Sequence, residues 1–313
     1  MSIQLSLRAR RIVSVSLAML CAQGLAGCSM FAPQTQTETQ AKEAPVISAL
    51  GVNSAGEARK QAAEARAKGN VDVALRLYID AADRDPKDAD SMYQIGLIYE
   101  ERKDTAHAAR AYARTVQIEP QHAAALTKLG LIYFENRQFD EAVPMLTRAL
   151  AVDPSQWRVH NALGLIADAR ADHDGAVAHY DAALALSPNS AALLNNRGYS
   201  FYLVGELDVA EASYRAALAA DSGYTRAWQN LGLVYARRGE YDKAIATLER
   251  AVSPYVAAND VGYIAMLRGD YTAAEQLFDE AMRLSPRHYV TANDNAIELR
   301  RRRAEAAQAS TTP

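Results

Sequence analysis

The side chains best suited to catalysis or metal binding surround one histidine. His173 lies between Asp172 and Asp174, and such a group could serve as an oriented general base or as part of a metal site. The three residues occupy a turn between two helical segments, where an aspartate is a common N-cap of the helix that follows. We therefore interpret the group as a solvated turn with an aspartate N-cap.

The rest of the sequence holds no recognisable catalytic motif. It has no Gly-rich phosphate loop, no Gly-x-Ser-x-Gly elbow and no His-Glu-x-x-His zinc motif. We predict that the protein is not an enzyme and that it uses no cofactor and no metal. The alternative among enzymes is a periplasmic hydrolase. Detectable turnover that is abolished by changing one acid of the concave face would favour it.

The first 28 residues combine a basic segment, an apolar run and a cysteine. Three arginines within residues 8–11 precede an apolar run at 12–20, which is too short to span a bilayer. Residues 25–28, Leu-Ala-Gly-Cys, then resemble the lipobox of these proteins. The resemblance implies a signal peptide over residues 1–27, cleavage before Cys28 and lipidation of Cys28.

The residues after the lipobox predict where the protein is held. Ser29 stands where lipoproteins retained in the inner membrane of many Gram-negative bacteria carry Asp, so the resemblance implies anchoring in the outer membrane, facing the periplasm. Cys21 leaves with the signal peptide, so the mature chain forms no internal disulfide. Residues 28–54 hold few large apolar groups and are predicted to be the lipidated cysteine and a flexible linker. The membrane is then contacted through the lipid anchor only.

The overall composition favours helices over sheets. Half of the chain is hydrophobic, yet only 7% is aromatic, and alanine supplies much of the difference, which suits closely packed helices. The formal net charge is -3, so there is no overall basic excess of the kind that nucleic acid attracts. We predict an all-α protein with no nucleic-acid partner.

The strongest pattern is a period of 34 residues, shared by small residues and by prolines. The members are Gly96, Gly130, Gly164, Gly198 and Gly232; Ala74, Ala108, Ala142, Ala176, Ala210 and Ala244; and Pro86, Pro120, Pro154 and Pro188. This period, with its Leu-Gly, Tyr, Ala, Tyr, Ala, Pro order, resembles the tetratricopeptide repeat, a pair of antiparallel helices. The resemblance implies a right-handed superhelical solenoid of about seven helix pairs with a C-terminal capping helix.

The repeat also predicts boundaries. We divide the solenoid, residues 55–288, into the windows 55–88, 89–122, 123–156, 157–190, 191–224, 225–254 and 255–288. The sixth window is four residues short, so a kink or a change of stacking angle is expected there. Residues 289–313 are predicted to form a capping helix and an Arg-rich tail, with Ile297 and Leu299 covering the end of the stack.

Turn residues support these boundaries. Glycines that favour a left-handed backbone are expected to end first helices at Gly69, Gly205, Gly239 and Gly269. N-caps of the second helices are then expected at Asp72, Asp208, Asp242 and Thr272. The periodic prolines should stop the second helices, because the residue before a proline is pushed out of helical geometry.

The resemblance further implies a binding face. In tetratricopeptide folds the first helices line a concave groove, into which the fifth, sixth, ninth and twelfth repeat positions point. The polar residues predicted there are Asn161, Asn195, Asn196, Gln229, Asn230, Asn259 and Asp260. Amides both donate and accept, which suits a peptide ligand. Apolar contact is expected from Tyr199, Tyr202, Leu233 and Tyr263, and attraction of acidic groups from Arg158, Arg226 and Arg237. A solvated wall without a ligand is the alternative.

The run Arg300–Arg303 could contact nucleic acid or a lipid surface. Cations near the C-terminal end of a helix are also stabilised by the helix dipole. We prefer the interpretation that the helix dipole stabilises these arginines.

A second resemblance suggests a function. The short sixth repeat and the sequence Ser-Pro-Tyr-Val-Ala-Ala-Asn-Asp-Val-Gly-Tyr-Ile-Ala-Met-Leu at 253–267 are similar to a region of the TadD family of tight-adherence (Flp) pilus assembly proteins. The resemblance implies a pilotin-like scaffold that binds protein partners, such as the outer-membrane secretin or other pilus-assembly subunits, through its groove. The chain continues for one more repeat and an Arg-rich tail beyond that region.

Three other functions stay open. The type IV pilotin family shares the lipobox and the repeats, although a regular set of about six repeats would be typical of it. An adaptor for peptidoglycan hydrolases would differ in its partners. A purely structural envelope protein would tolerate loss of the groove amides.

Overall fold

The computed structural model describes residues 52–287 and 289–309. These residues form 15 helices and no strand, so the predicted all-α fold is confirmed. The helices belong to one compact unit that begins at Asn53. The predicted signal peptide, Cys28, nearly all of the linker and the last four residues lie outside the described residues.

The helices form seven consecutive antiparallel pairs followed by a single helix. Their bounds are α1 Ala55–Ala67, α2 Val71–Arg84, α3 Ala89–Glu101, α4 Thr105–Ile118, α5 Ala123–Glu135, α6 Phe139–Val152, α7 Trp157–Ala169, α8 His173–Leu186, α9 Ala191–Val204, α10 Leu207–Ala220, α11 Thr225–Arg238, α12 Tyr241–Leu248, α13 Pro254–Leu267, α14 Tyr271–Leu284 and α15 Val290–Ala309. Odd-numbered helices up to α13 are the first members of their pairs, and α15 packs on α13 and α14.

Each first helix is followed by a residue with a left-handed backbone. The predicted glycines adopt it, with φ of 78°, 94°, 86° and 84° at Gly69, Gly205, Gly239 and Gly269. In the other three pairs the same place is taken by Lys103, Arg137 and Ala171, with φ of 60°, 60° and 61°. A residue with a Cβ adopts this conformation at a cost of about 1–2 kcal/mol. Three of the seven turns therefore carry local strain.

The predicted N-caps of the second helices are wrong by two residues. In these four pairs the N-cap is the residue directly after the left-handed glycine: Asn70, Glu206, Glu240 and Asp270 in place of Asp72, Asp208, Asp242 and Thr272. Of these four caps, only the Asp270 carboxylate accepts a bond from the helix, from the Ala273 amide at 3.1 Å. The predicted ends are confirmed, because α2, α4, α6 and α8 all stop two residues before a periodic proline.

Close packing explains the periodic glycines. A Cβ added at Gly164 would lie 2.6 Å from Cε1 of Tyr180, and one added at Gly130 would lie 2.6 Å from Cδ2 of Leu146. Both partners are fully buried on the second helix of the same pair. The absence of a side chain therefore lets the two helices approach each other, and the large residue opposite fills the space.

The sixth pair is shortened in its second helix. α12 has 8 residues, whereas α10 and α14 have 14. A turn follows Leu248, and α13 begins at Pro254, whose fixed φ suits the first helical position. The regular succession of pairs is thus altered between α11 and α13.

The last helix covers the end of the core. Ala292, Ala296 and Leu299 are buried, whereas Ile297 is 52% exposed. The predicted role of Leu299 in the cap is confirmed, and that of Ile297 is wrong, because 292, 296 and 299 share one face of the helix and 297 does not. No helix in the described ranges is long and apolar enough to cross a membrane.

Candidate protein-binding groove

Asparagines of three successive first helices are joined by hydrogen bonds. The Asn196 amide donates to Asn161 Oδ1 at 2.9 Å, and the Asn230 amide donates to Asn195 Oδ1 at 2.9 Å. Asn195 also approaches Asn196 Oδ1 at 3.5 Å. We call these four residues, on α7, α9 and α11, the central amide network. It shows that the predicted groove residues lie side by side across neighbouring repeats.

The amides differ in their access to a partner. Asn195 is only 5% exposed, whereas Asn161, Asn196 and Asn230 are half-buried. A buried amide that loses its partner is left unsatisfied at a cost of about 1–3 kcal/mol. Asn195 therefore stabilises the contact between the helices, and the other three amides keep part of their surface exposed to solvent.

The predicted tyrosines of this region are packed into the wall. Tyr199 and Tyr202 stack with ring centroids 6.5 Å apart, and the Arg237 guanidinium lies 5.0 Å above the Tyr202 ring. Arg237 also donates to the Tyr202 carbonyl oxygen. Burial and the nearby Asp168 carboxylate raise the pKa of Tyr199 to about 12. These residues join α9 to α11, so they shape the groove more than they present free polar groups.

The structure adds a buried carboxylate that the sequence analysis missed. Asp168 accepts hydrogen bonds from His173 Nδ1 at 2.9 Å, from the Tyr180 hydroxyl at 3.0 Å and from the Ser200 hydroxyl at 2.8 Å. Its side chain is 8% exposed, and that of His173 is 21% exposed. The interpretation of His173 as part of a solvated turn is therefore wrong. The aspartate N-cap is confirmed, since Asp172 accepts from the Gly175 amide at 3.1 Å.

A sequence signal for this bond exists in the repeat. Tyr180 follows Asp168 by 12 residues, and the Tyr112 hydroxyl donates to Glu100, also 12 residues earlier, at 2.6 Å. Lys128 donates to the same Glu100 carboxylate at 2.7 Å. An acid at the twelfth repeat position with a tyrosine at the twenty-fourth thus predicts a carboxylate satisfied within the fold.

The remaining predicted groove residues are placed as follows. Arg158 and Arg226 are exposed, and the Arg158 guanidinium lies 4.5 Å from the centre of the Trp157 ring. Gln229, Leu233 and Tyr263 are half-buried. Exposed cations and half-buried apolar side chains are therefore both present on these helices.

A second group of polar side chains lies on α13 and α15. Asn259, only 4% exposed, donates to Asp260 Oδ1 at 3.1 Å and accepts from the Asn295 amide at 2.9 Å. We call Asn259, Asp260 and Asn295 the C-terminal amide network. Asn295 was not predicted, because it lies in the cap, outside the seven repeat windows. Within the described chain no hydrogen bond joins this network to the central one.

Most of the arginine run is paired within the chain. Arg301 and Arg302 donate to Glu298 at 2.6 and 2.9 Å, and Arg303 donates to Glu275 at 3.1 Å. These ion pairs engage positive charges that would otherwise be available to an anionic surface. In the described ranges, no group of three or more histidine, cysteine, aspartate or glutamate side chains could hold a metal ion.

Consecutive antiparallel helix pairs, stacked so that each packs mainly on its neighbours, define a helical-repeat solenoid, a class of protein-interaction scaffold. A family model described as "Tetratricopeptide repeat" matches residues 59–123, 127–191 and 195–260, and a second model with the same description matches residues 256–289. The chain belongs to the tetratricopeptide repeat family, whose fold is in general not enzymatic.

Solved structures agree with this fold. The chain is similar to YrrB, titled a TPR protein with an unusual peptide-binding site, at 20% identity over 64% of this chain and 96% of that one, with a TM-score of 0.50. It is similar to the Cut9-Hcn1 hetero-tetramer of APC/C at 19% identity over 76% of this chain and 48% of that one, with a TM-score of 0.50. MamA aligns at 25% identity over 51% of this chain and 94% of that one, with a TM-score of 0.48. No curated protein matches the sequence.

Proposed function

We propose that the protein is a lipid-anchored scaffold of the outer membrane that binds protein partners during assembly of a tight-adherence pilus secretion system, with a pilotin-like role toward the secretin. The observation that carries the binding role is the row of half-buried amides, Asn161, Asn196 and Asn230, aligned on three neighbouring first helices. Side-chain amides at regular intervals can bond the backbone of a peptide laid along them.

Two sequence features support the location and the system. The lipobox at residues 25–28 supports an anchor at Cys28, and a flexible linker of the length predicted for 28–54 has a root-mean-square reach of about 25–30 Å. The solenoid would then stand clear of the headgroups, where its groove can meet a partner. The similarity of residues 253–267 to the TadD family supports pilus assembly.

The test is affinity purification of the full chain from solubilised outer membranes. We expect the wild type to retain the secretin and the Cys28→Ser variant to be lost from the outer-membrane fraction. A groove variant carrying Asn196→Ala and Asn230→Ala should retain less secretin, whereas Gln117→Ala, which removes an exposed amide on the second helix α4, should not.

Other results point elsewhere. Recovery of cell-wall hydrolases in place of a secretin would favour the adaptor function. A wild type that copurifies with no partner, or a groove variant that retains as much secretin as the Gln117→Ala control, would contradict the proposed binding role.

A further inference from the structure

We propose that Asp260, together with Tyr255 and Tyr289, forms a subsite of the groove that receives a basic side chain, arginine or lysine, of the bound protein. The proposal rests on the proposed binding function of the groove and names the chemistry that its C-terminal part recognises. The short helix α12, the C-terminal amide network and an acid without a cation all lie in this part of the solenoid.

Asp260 occupies the sixth position of its repeat, as Asn196 and Asn230 do in theirs. Those two residues are half-buried, and so is Asp260. The matching position places the carboxylate on the helix face that carries the central amide network. A ligand that follows the amides along the first helices therefore reaches an acid on α13.

The Asp260 carboxylate has one partner in the described part of the chain. It accepts from the Asn259 amide at 3.1 Å, and no described lysine, arginine or histidine forms an ion pair with it. Burial raises its pKa, and only the Asn259 bond opposes that shift. A partly desolvated carboxylate without a cation is unfavourable, so a cation brought by a ligand would be bound strongly.

The other partly buried groove acids are supplied with donors by the fold. Glu100 accepts from Lys128 Nζ at 2.7 Å and from the Tyr112 hydroxyl. Asp168 accepts from a histidine and two hydroxyls. For Asp260, the described part of the chain supplies only the Asn259 amide.

Two tyrosines complete the subsite. The rings of Tyr255 and Tyr289 pack edge to face, with centroids 5.1 Å apart at 84°, and both residues are half-buried. Tyr289 packs against the buried cluster of Ala258, Ala281 and Ala292, of which Ala258 is next to the amide network in sequence. Burial raises the pKa of Tyr289, and the Asp260 carboxylate adds to that shift. Aromatic faces attract ammonium and guanidinium groups. An acid beside two such rings favours a cation over a neutral or acidic side chain.

The interrupted stacking explains why Asp260 receives no hydrogen bond from the preceding first helix, α11. Between α7, α9 and α11 each amide meets an amide of the next first helix, 35 residues away. Across the short sixth repeat the equivalent pair, Gln229 and Asp260, is only 31 residues apart. The described residues make no amide bond across that step, so the α11 side of Asp260 is left for a ligand.

Three labelled peptide pools test the subsite on the full chain. Each pool has nine-residue peptides of degenerate uncharged residues around a central arginine, citrulline or glutamate. We expect the arginine pool to bind about tenfold more tightly than the citrulline pool, as one charge-assisted bond predicts. Asp260→Asn should abolish that preference, because the amide can still accept from Asn259 but carries no charge. Asp242→Asn, the same exchange at an exposed site on α12, should leave it intact.

Equal binding of the arginine and citrulline pools, binding of none of the pools up to millimolar protein, or an arginine preference that survives Asp260→Asn would overturn the proposal. Secretin recovery by the wild type is scored separately, so that the two ideas can fail independently. Secretin recovery without an arginine preference would leave the proposed function and remove the subsite. An arginine preference that depends on Asp260, without secretin recovery, would keep the subsite and remove the pilus assignment.

Discussion

The central groove, from α7 to α11, and the C-terminal groove, from α13 to α15, use similar side chains to different effect. In the central groove Asp168 is held by three donors and the amides bond from helix to helix. In the C-terminal groove Asp260 has one amide donor, and its network does not reach α11. The comparison teaches that an acid is paired within the fold where the spacing of the repeats is regular and is left for a ligand where that spacing is interrupted.

The largest expected effect separates the two acids. Asp168→Ala should lower the free energy of unfolding by about 3 kcal/mol, because Tyr180, Ser200 and His173 would lose their shared acceptor. Asp260→Ala should lower it by no more than about 1 kcal/mol, because the buried Asn259 amide loses its acceptor but an unpaired, partly desolvated carboxylate is removed with it. Equilibrium urea unfolding measures both. Equal losses in the two variants would remove the distinction between the regions.

The next effect concerns the close approach of paired helices. A Cβ at Gly164 would meet Tyr180 Cε1 at 2.6 Å, whereas one at Gly262 would meet Phe278 Cε1 at 3.0 Å. Tyr180 is also tied to Asp168 and cannot shift freely. We expect Gly164→Ala to cost about 2–3 kcal/mol and Gly262→Ala about 1 kcal/mol. Thermal unfolding would show the order, and Gly56→Ala, with open space around its Cβ, is the control.

A smaller effect tests the structural role of the buried amide. Asn195→Ala should lower the free energy of unfolding by about 1 kcal/mol, because Asn230 loses its acceptor. Asn161→Ala, at a half-buried position, should lower the free energy of unfolding by less. Chemical unfolding of the two variants gives the comparison. If Asn161→Ala is the more destabilising, burial does not set the role of these amides.

The smallest effect is a gain in stability from the strained turns. Ala171→Gly should raise the free energy of unfolding by about 0.5–1 kcal/mol, because glycine adopts its φ of 61° without strain. Gly205→Ala, at a φ of 94°, should have the opposite sign. Differential scanning calorimetry measures both changes, and a lower melting temperature for Ala171→Gly would contradict the strain.

The sequence alone was sufficient to predict those features of the fold that depend on a single residue type. Periodic small residues, prolines and turn glycines predicted the helix pairs and the ends of most helices. Lys103, Arg137 and Ala171 were not recognised as left-handed, because nothing in their side chains favours that conformation. Only their alignment with Gly69, at the fifteenth repeat position, carries the signal.

The candidate groove was predicted less completely than the fold. The repeat positions indicated which asparagines would align, but not that Asn195 would be buried or that the amides would bond one another, since this depends on the spacing between helices. The role of Asp168 was not predicted, because its three donors lie on two helices, α8 and α9, and no single sequence spacing relates them to Asp168. The cap residue Asn295 belongs to no repeat and could be found only from the structure.

The most direct test of the central claim follows the asparagine side-chain amides of both regions by NMR while acetyl-Gly-Ala-Arg-Ala-Gly-amide is added to the full chain. The signals would be assigned through single Asn→Gln variants. The peptide has five residues and one charged side chain, which we assign to Asp260. We predict that the Asn259 and Asn295 signals shift more than those of Asn161, Asn196 and Asn230, and that the signal of the buried Asn195 stays in place. Shifts confined to the central amides, or the same response with citrulline in place of arginine, would contradict the assignment of the C-terminal groove to a basic side chain.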